Sequence, residues 1–272
     1  MPFVDYGPEL WKRLISRVLI FGPPNSFKTS SLLTWLPCGP MHLISYPGES
    51  GYATIPLGVT NLKSYIWEGD VISRQSPTAM VAEVQKLTIE VLAGKRGPIT
   101  TIALDGIHKF ADLILDDLTG GAYGRGEEFS TFLYPRAGKV LKNYVQMINQ
   151  SPVQNVVFTA WNHSRPDKKG EILGGQSHEW PALPGEMAKL ILGEFSIVVF
   201  SRVIYPRTAT EKMRGEWLLR PDNEVWGSMV KIDPRVAVQL PSRVPQDWTK
   251  LEPLLLKAYE KGTQGEDSQR VA

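Results

Sequence analysis

The sequence predicts an α/β fold: a mainly parallel central sheet flanked by helices, with an antiparallel hairpin near the C-terminus. Two observations carry this prediction. Short apolar runs rich in β-branched residues recur at Arg17–Phe21, Met41–Ser45, Ile99–Leu104, Gln154–Ala160 and Ser196–Val203. They lack the polar alternation of a half-exposed strand, so each reads as a strand buried on both faces. Between them lie segments with helical spacing: Lys28–Trp35, Thr78–Ala93, Ile107–Leu118, Phe129–Gln150 and Gly185–Leu192. In Thr78–Ala93, for example, Val81, Val84, Leu87, Val91 and Leu92 recur near the helical period. Strands that alternate with helices require crossover connections, and crossovers build parallel sheets.

The first strand, Arg17–Phe21, leads into Gly22, Pro23, Pro24, Asn25, Ser26, Phe27, Lys28, Thr29 and Ser30. This matches the phosphate-loop pattern GxxxxGK[ST] at Gly22, Lys28 and Thr29, between a strand and a helix start. Such a loop wraps polyphosphate with backbone N–H groups, its Lys pairs with β/γ-phosphate oxygens, and its hydroxyl binds Mg²⁺. The expected ligands are therefore ATP and Mg²⁺. One position departs: Phe27 stands where the pattern has Gly, so its Cβ and ring crowd the phosphates or open the loop. The plainer reading of the segment is a Gly-Pro turn capped by Asn25 or Ser26, with Lys28 solvated.

The second strand, Met41–Ser45, is followed by Glu49, which lies where parallel sheets place ligands and is a candidate for activating water. It reads equally as a turn residue beside Pro47 and Gly48. The third strand ends at Asp105, the first charge after an apolar run, and is a candidate to hold Mg²⁺. An N-cap for helix Ile107–Leu118 is the other role open to it. Strand Gln154–Ala160 leads to Asn162, the first choice for touching the γ-phosphate, with Thr159 and His163 behind it.

Two loops suit single-stranded nucleic acid, which needs charge for phosphates and flat faces for bases. Residues 119–128 are Gly-rich around Tyr123 and Arg125, and residues 163–184 carry Arg165, Lys168, Lys169 and Trp180. Asp167, Glu171 and Glu179 offset the cations of the second loop, so a solvated surface loop is also open. Farther on, Val203–Tyr205 and Glu216–Arg220 read as the hairpin. Lys231 and Arg235 are candidates for a cation reaching a neighbour's nucleotide. A helix at Pro253–Lys261 is expected to stop at Gly262.

The 272 residues suit one elaborated domain over 1–262, with a polar, frayed tail at 263–272. Lys and Arg number 30 against 28 Asp and Glu, too even a balance to imply nucleic acid by charge alone. The lone Cys38 excludes an internal disulfide and a multi-Cys zinc site, and fits a reducing, cytoplasmic setting. Residues 1–14 contain acids and no continuous apolar core, and no run nears the roughly 18 apolar residues of a membrane span.

In this order the elements resemble the RecA-like P-loop ATPases, and in particular phage-encoded AAA-type nucleotide-binding proteins related to single-strand annealing and recombination ATPases. The resemblance is carried by residues 22–29, the strand ending near Glu49, residues 101–107, 156–163 and 183–203, and spans about 15–235. It implies a RecA-type sheet, a homo-oligomer with ATP near subunit interfaces, and mobile loops facing single-stranded DNA. By position it assigns Lys28 to phosphate, Thr29 and Asp105 to Mg²⁺, Glu49 to water and Asn162 to the γ-phosphate. The implied function is an ATPase in DNA recombination, annealing or replication, in the host cytoplasm if phage-encoded. A nucleotide-binding scaffold or DNA clamp with little turnover is the alternative, favoured by Phe27. A P-loop kinase is disfavoured because no Arg-rich lid is evident.

Overall fold

The computed structural model describes residues 8–67, 75–165, 178–184, 186–208, 210–219, 229–230 and 240–267. Helix α1 (Pro8–Ile15) leads into β1 (Arg17–Gly22). Then come α2 (Lys28–Ser31), a 3₁₀ turn over Leu32–Cys38, β2 (Met41–Ser45), a second 3₁₀ turn over Gly51–Thr54, and β3 (Leu62–Tyr65). Helix α3 (Pro77–Leu92), β4 (Thr101–Asp105), α4 (Ile107–Leu118), α5 (Leu133–Asn149) and β5 (Asn155–Arg165) follow. The rest comprises β6 (His178–Pro181), α6 (Met187–Leu192), β7 (Ile197–Ile204), β8 (Arg214–Leu218), β9 (Met229–Val230), β10 (Arg243–Pro245) and α7 (Trp248–Asp267).

The strands form one sheet in the order β10-β8-β7-β1-β5-β4-β2-β3. From β7 to β3 every pairing is parallel, while β8, β9 and β10 add antiparallel partners beyond β7. The predicted class therefore holds. The hairpin forms between the far half of β7 and β8, with Phe200 opposite Leu218 and Ile204 opposite Arg214.

Both faces of the sheet are covered, which is why its strands show no polar alternation. Leu19 and Phe21 of β1 point into the core under α3–α6, while Val18 and Ile20 point to the other side. There Trp35 stacks on Trp248 at 4.9 Å and lies 5.7 Å from Trp217, which fastens α7 and β8 to that face.

Several boundaries differ from the sequence reading for local reasons. The helix expected over Lys28–Trp35 is α-helical only to Ser31 and then tightens to 3₁₀, ending near Pro37, which cannot donate a backbone bond. Helix α3 starts at Pro77, with Ser76 accepting from the Ala79 N–H as its N-cap. Helix α5 starts at Leu133 rather than Phe129, and α6 at Met187. The last helix runs to Asp267, past the stop expected at Gly262; an interior Gly costs only about 1 kcal/mol relative to Ala. Edge strand β3 was too short and too polar to be legible.

Arg17 opens β1 with its guanidinium buried. It donates from Nε to the Asn149 carbonyl at 2.9 Å and from Nη1 to Gln154 at 2.8 Å. Nη2 donates to Ser151 at 3.2 Å and to Val153 at 2.9 Å. One side chain thus satisfies the end of α5 and the turn into β5. Burial lowers its pKa to about 10, so it stays charged at neutral pH. Arg17→Ala orphans these carbonyls and is expected to lower unfolding free energy in urea by about 3 kcal/mol. A loss within about 0.5 kcal/mol, the range of ordinary surface substitutions, would contradict this role.

Candidate functional site

The chain leaves β1 for β2 and β3, then returns through β4 and β5 to fill the gap. The loop strand β1 and the carboxylate strand β4 are thereby separated by β5 alone. At the carboxyl edge of these strands, where parallel sheets carry ligands, lies a cavity of about 560 Å³. Pro24, Asn25, Ser26, Phe27, Lys28, Thr29 and Ser30 line one side, and Glu49, Ser50, Gly51 and Thr54 another; Asp105, Thr159 and Trp161 complete it. Gly22 and Pro23 lie behind the loop, outside the lining.

The loop carries Phe27 where the phosphate-loop pattern has Gly. Phe27 takes the left-handed conformation itself, at φ 61° and ψ 18°, and Asn25 does so at φ 61°. The Cβ does not forbid the turn but strains it, by about 1–2 kcal/mol. Gly22 is required by packing: a Cβ there would stand 2.2 Å from the Ser201 carbonyl oxygen of β7. Lys28 is buried, and its ammonium donates to the Gly22 carbonyl at 2.9 Å, the Pro23 carbonyl at 2.7 Å and Ser26 Oγ at 3.3 Å. Burial pushes its pKa down to about 8, against the pull of Asp105 and Glu49.

Across the cavity Thr29 donates its hydroxyl to Asp105, at 2.9 Å from Oδ2 and 3.1 Å from Oδ1. Thr159 donates to Asp105 Oδ1 at 2.5 Å and accepts from the Gly106 N–H at 2.9 Å. Asp105 is buried, and desolvation, with Glu49 adding repulsion, raises its pKa to about 6 despite these hydroxyls and Lys28. A buried carboxylate beside a threonine hydroxyl is a hard-oxygen pair suited to Mg²⁺. Gly51 approaches so closely that a Cβ would lie 2.2 Å from Thr29 Oγ1 and 2.9 Å from Asp105 Oδ2. The pair therefore faces a cradle that a side chain would fill. Among the described residues no three His, Cys, Asp or Glu gather around a metal position.

Glu49 is buried in the wall, its Oε1 accepting from the Ser50 N–H at 3.0 Å and the Gly51 N–H at 3.2 Å. Its Oε2 faces His108 Nε2 at 3.8 Å. Burial, with Lys109 and Lys28 nearby, depresses the His108 pKa to about 3, so the imidazole is neutral. The Trp161 N–H donates to its Nδ1 at 3.4 Å, which leaves the ring proton on Nε2, toward Glu49. Sequence reasoning missed His108 and Trp161. A His in the first turn after Asp105-Gly106 was the one available signal.

Asn162 is not at the site: it donates to Glu179 across the β5–β6 pair. Side chains alternate along a strand, so Thr159 and Trp161 face the cavity and Asn162 does not. His163, next along β5, is exposed and pairs with Trp180 in that ladder. The first Gly-rich loop is held in place by acids. Tyr123 donates to Asp112 at 2.8 Å, the Gly124 N–H donates to Asp116 at 2.8 Å, and Arg125 forms a two-pronged pair with Glu127 at 2.6 and 2.9 Å. Trp180 packs partly against the core. Lys168, Lys169, Lys231 and Arg235 lie outside the described residues, as does the side chain of Arg165.

A larger hollow, about 860 Å³, lies between β3 and α3. Its charges include the Arg96–Glu90 ion pair at 2.6 Å, and it lacks any phosphate loop or buried carboxylate. Chemistry, not size, places the site over residues 24–30.

The strand–loop–helix at Gly22–Thr29, with Asp105 two strands away, belongs to an α/β fold with a mainly parallel central sheet flanked by helices. Among solved structures the chain is similar to the X-ray structure of the Legionella pneumophila ATPase DotB. That match has 12% sequence identity and a TM-score of 0.33, and covers 78% of this chain and 49% of the other. The chain thus spans about half the length of that protein. No protein-family model matches the sequence, and no curated protein matches it.

Because the folded protein binds the Asp105 proton more tightly than the unfolded chain, this group's stabilisation is present below its ordinary value of 3.8 and lost as pH rises through about 6. Asp105→Asn is therefore expected to raise the Tm of the metal-free protein at pH 8, with the gain vanishing toward pH 4. An equal gain at both pH values would mean the carboxylate's charge is not the cause.

Proposed function

We propose that this protein binds ATP with Mg²⁺ over the phosphate loop and hydrolyses the γ-phosphate. The observation that carries this reading is the hydrogen-bonded Thr29–Asp105 pair, its carboxylate buried, beside Lys28 in one cavity. Backbone N–H groups of residues 27–30 wrap the phosphate chain, and the Lys28 ammonium exchanges its loop carbonyls for β/γ-phosphate oxygens. Thr29 and Asp105 would hold Mg²⁺, which supplies charge neutralisation at the phosphate oxygens. Glu49, oriented by two backbone N–H groups, accepts the proton of the attacking water. The water oxygen bonds to the γ-phosphorus, the bond to the bridging oxygen breaks, and ADP and phosphate leave. Thr159, which lines the cavity where Asn162 does not, takes the place of Asn162 as the β5 side chain for the γ-phosphate.

A second reading, a nucleotide-dependent clamp with little turnover, draws on the same Glu49 contacts. They restrain the carboxylate that would have to meet the water. Single-stranded DNA is the partner we propose, in recombination, annealing or replication. With Tyr123, Arg125 and Trp180 engaged internally, that role rests on the sequence of Arg165, Lys168 and Lys169. The homo-oligomer belongs to the same proposal, and specific activity rising with protein concentration would support it.

The test is Mg²⁺-dependent ATP hydrolysis with and without single-stranded DNA, with Lys28→Ala as the blank. We expect hydrolysis that rises with DNA and falls at least a hundredfold in Lys28→Ala. Hydrolysis equal in the blank overturns the assignment; binding without turnover selects the clamp. For the free enzyme, kcat/KM is expected to fall below about pH 6, where Asp105 takes up its proton, and above about pH 8, where Lys28 loses its own. A flat profile from pH 5 to 9 would remove both groups from the rate.

A further inference from the structure

We infer that Gln246 and Ser201 are positioning residues that hold the phosphate loop in its binding conformation from the C-terminal side of the sheet. This rests on the nucleotide reading above and extends it to residues that touch no phosphate. The focus is the carbonyl of Ser26, whose peptide joins it to Phe27. Ser201 Oγ on β7 donates to that carbonyl at 2.7 Å. Gln246, in the turn between β10 and α7, donates to it from Nε2 at 3.0 Å and lies 2.5 Å from Ser201 Oγ. The carbonyls of Glu216, at 3.2 Å, and Arg202, at 3.3 Å, also surround Nε2, so acceptors alone set the direction of the amide. Gln246, Ser201 and Ser26 thus close a triangle of hydrogen bonds in which each donor polarises the next.

Two glycines show that the arrangement is built into the fold. A Cβ at Gly215 of β8 would lie 2.3 Å from Gln246 Oε1 and 2.4 Å from its Cδ, so only Gly leaves room for this side chain. A Cβ at Gly22 would lie 2.2 Å from the Ser201 carbonyl oxygen, so only Gly lets β7 approach the loop's first residue. The approach brings the Ser201 hydroxyl to the loop's far end.

The reason for such a brace is Phe27. A residue with a Cβ is strained at φ 61°, whereas Gly takes that conformation freely. Fixing the Ser26 carbonyl fixes the rotation of the 26–27 peptide plane. The Phe27 N–H, which lies in that plane and points opposite to the Ser26 carbonyl, is then held toward the phosphate position. In this chain the work ordinarily left to a glycine is shared with a hydroxyl and an amide from distant strands.

The experiment measures the dissociation constant of MgATP, and KM and kcat, for wild type, Gln246→Ala, Ser201→Ala and Gly215→Ala, each also combined with Phe27→Gly. Lys28→Ala serves as the control for the nucleotide reading itself. Each brace variant is expected to weaken MgATP binding and raise KM about five- to tenfold, with kcat within about twofold. In the Phe27→Gly background the loss is expected to shrink to about twofold or less, because the strain that the brace opposes is gone. A structural role alone would lower Tm without moving KM. Unchanged affinity in Ser201→Ala and Gln246→Ala, with binding abolished in Lys28→Ala, overturns the brace and leaves the site standing. A loss undiminished by Phe27→Gly also overturns it. Should Gln246→Ala fail to fold, Ser201→Ala and Gly215→Ala decide the matter by the same criteria. Binding that survives in Lys28→Ala instead refutes the nucleotide reading.

Discussion

A carboxylate buried at the edge of a sheet must be compensated, and Asp105 is compensated from three directions. Thr29 reaches it from the loop helix, Thr159 from the intervening strand, and Lys28 by charge across the cavity. Each group belongs to a segment whose position is set by strand order: β1 ends at the loop, β5 lies between, and β4 carries the acid. The compensation is incomplete, since desolvation still raises the pKa of Asp105 to about 6. A cation bound beside Asp105 would therefore have to displace its proton when the carboxyl is protonated.

The loop opposite Asp105 shows a second economy. With Phe at position 27, a conformation that Gly supplies freely has to be imposed. The C-terminal strands are close enough to do so because Gly22 and Gly215 remove the side chains that would separate them. The antiparallel extension is therefore more than a cover for the Trp35–Trp217–Trp248 face, since it reaches the far end of the loop through Ser201 and Gln246. On the other flank Glu49, His108 and the Trp161 backbone form a chain from the second strand to β5. These contacts surround the loop on both sides, which is consistent with a site organised before any ligand arrives.

The parts of this fold that were legible in sequence are those where local pattern and burial agree. Residues 18–21 and 102–104 are apolar because both faces of the sheet are covered, and Lys28, Thr29 and Asp105 were singled out by their place at or just past strand ends. Asn162 was misplaced because β5 continues to Arg165, so the strand's period of two, not its end, decides which side chains face the cavity. Thr159 and Trp161 satisfy that period. Ser201 and Gln246 were illegible for a different reason. Their importance arises from contacts 175 and 220 residues away in sequence, which no local pattern encodes. Arg125 looked like a free cation because a sequence does not reveal that Glu127 closes on it within the same turn.

The central claim is that residues 24–30 and the Thr29–Asp105 pair form one site for a nucleotide and its metal. Calorimetric titration of the intact protein with ATP at pH 7.5, in Mg²⁺ and then in EDTA, tests it most directly. The account predicts saturable one-site binding in Mg²⁺, weakened about tenfold or more when the metal is removed. Equal affinity in both buffers would detach the Thr29–Asp105 pair from the nucleotide, and no binding in either would contradict the site altogether.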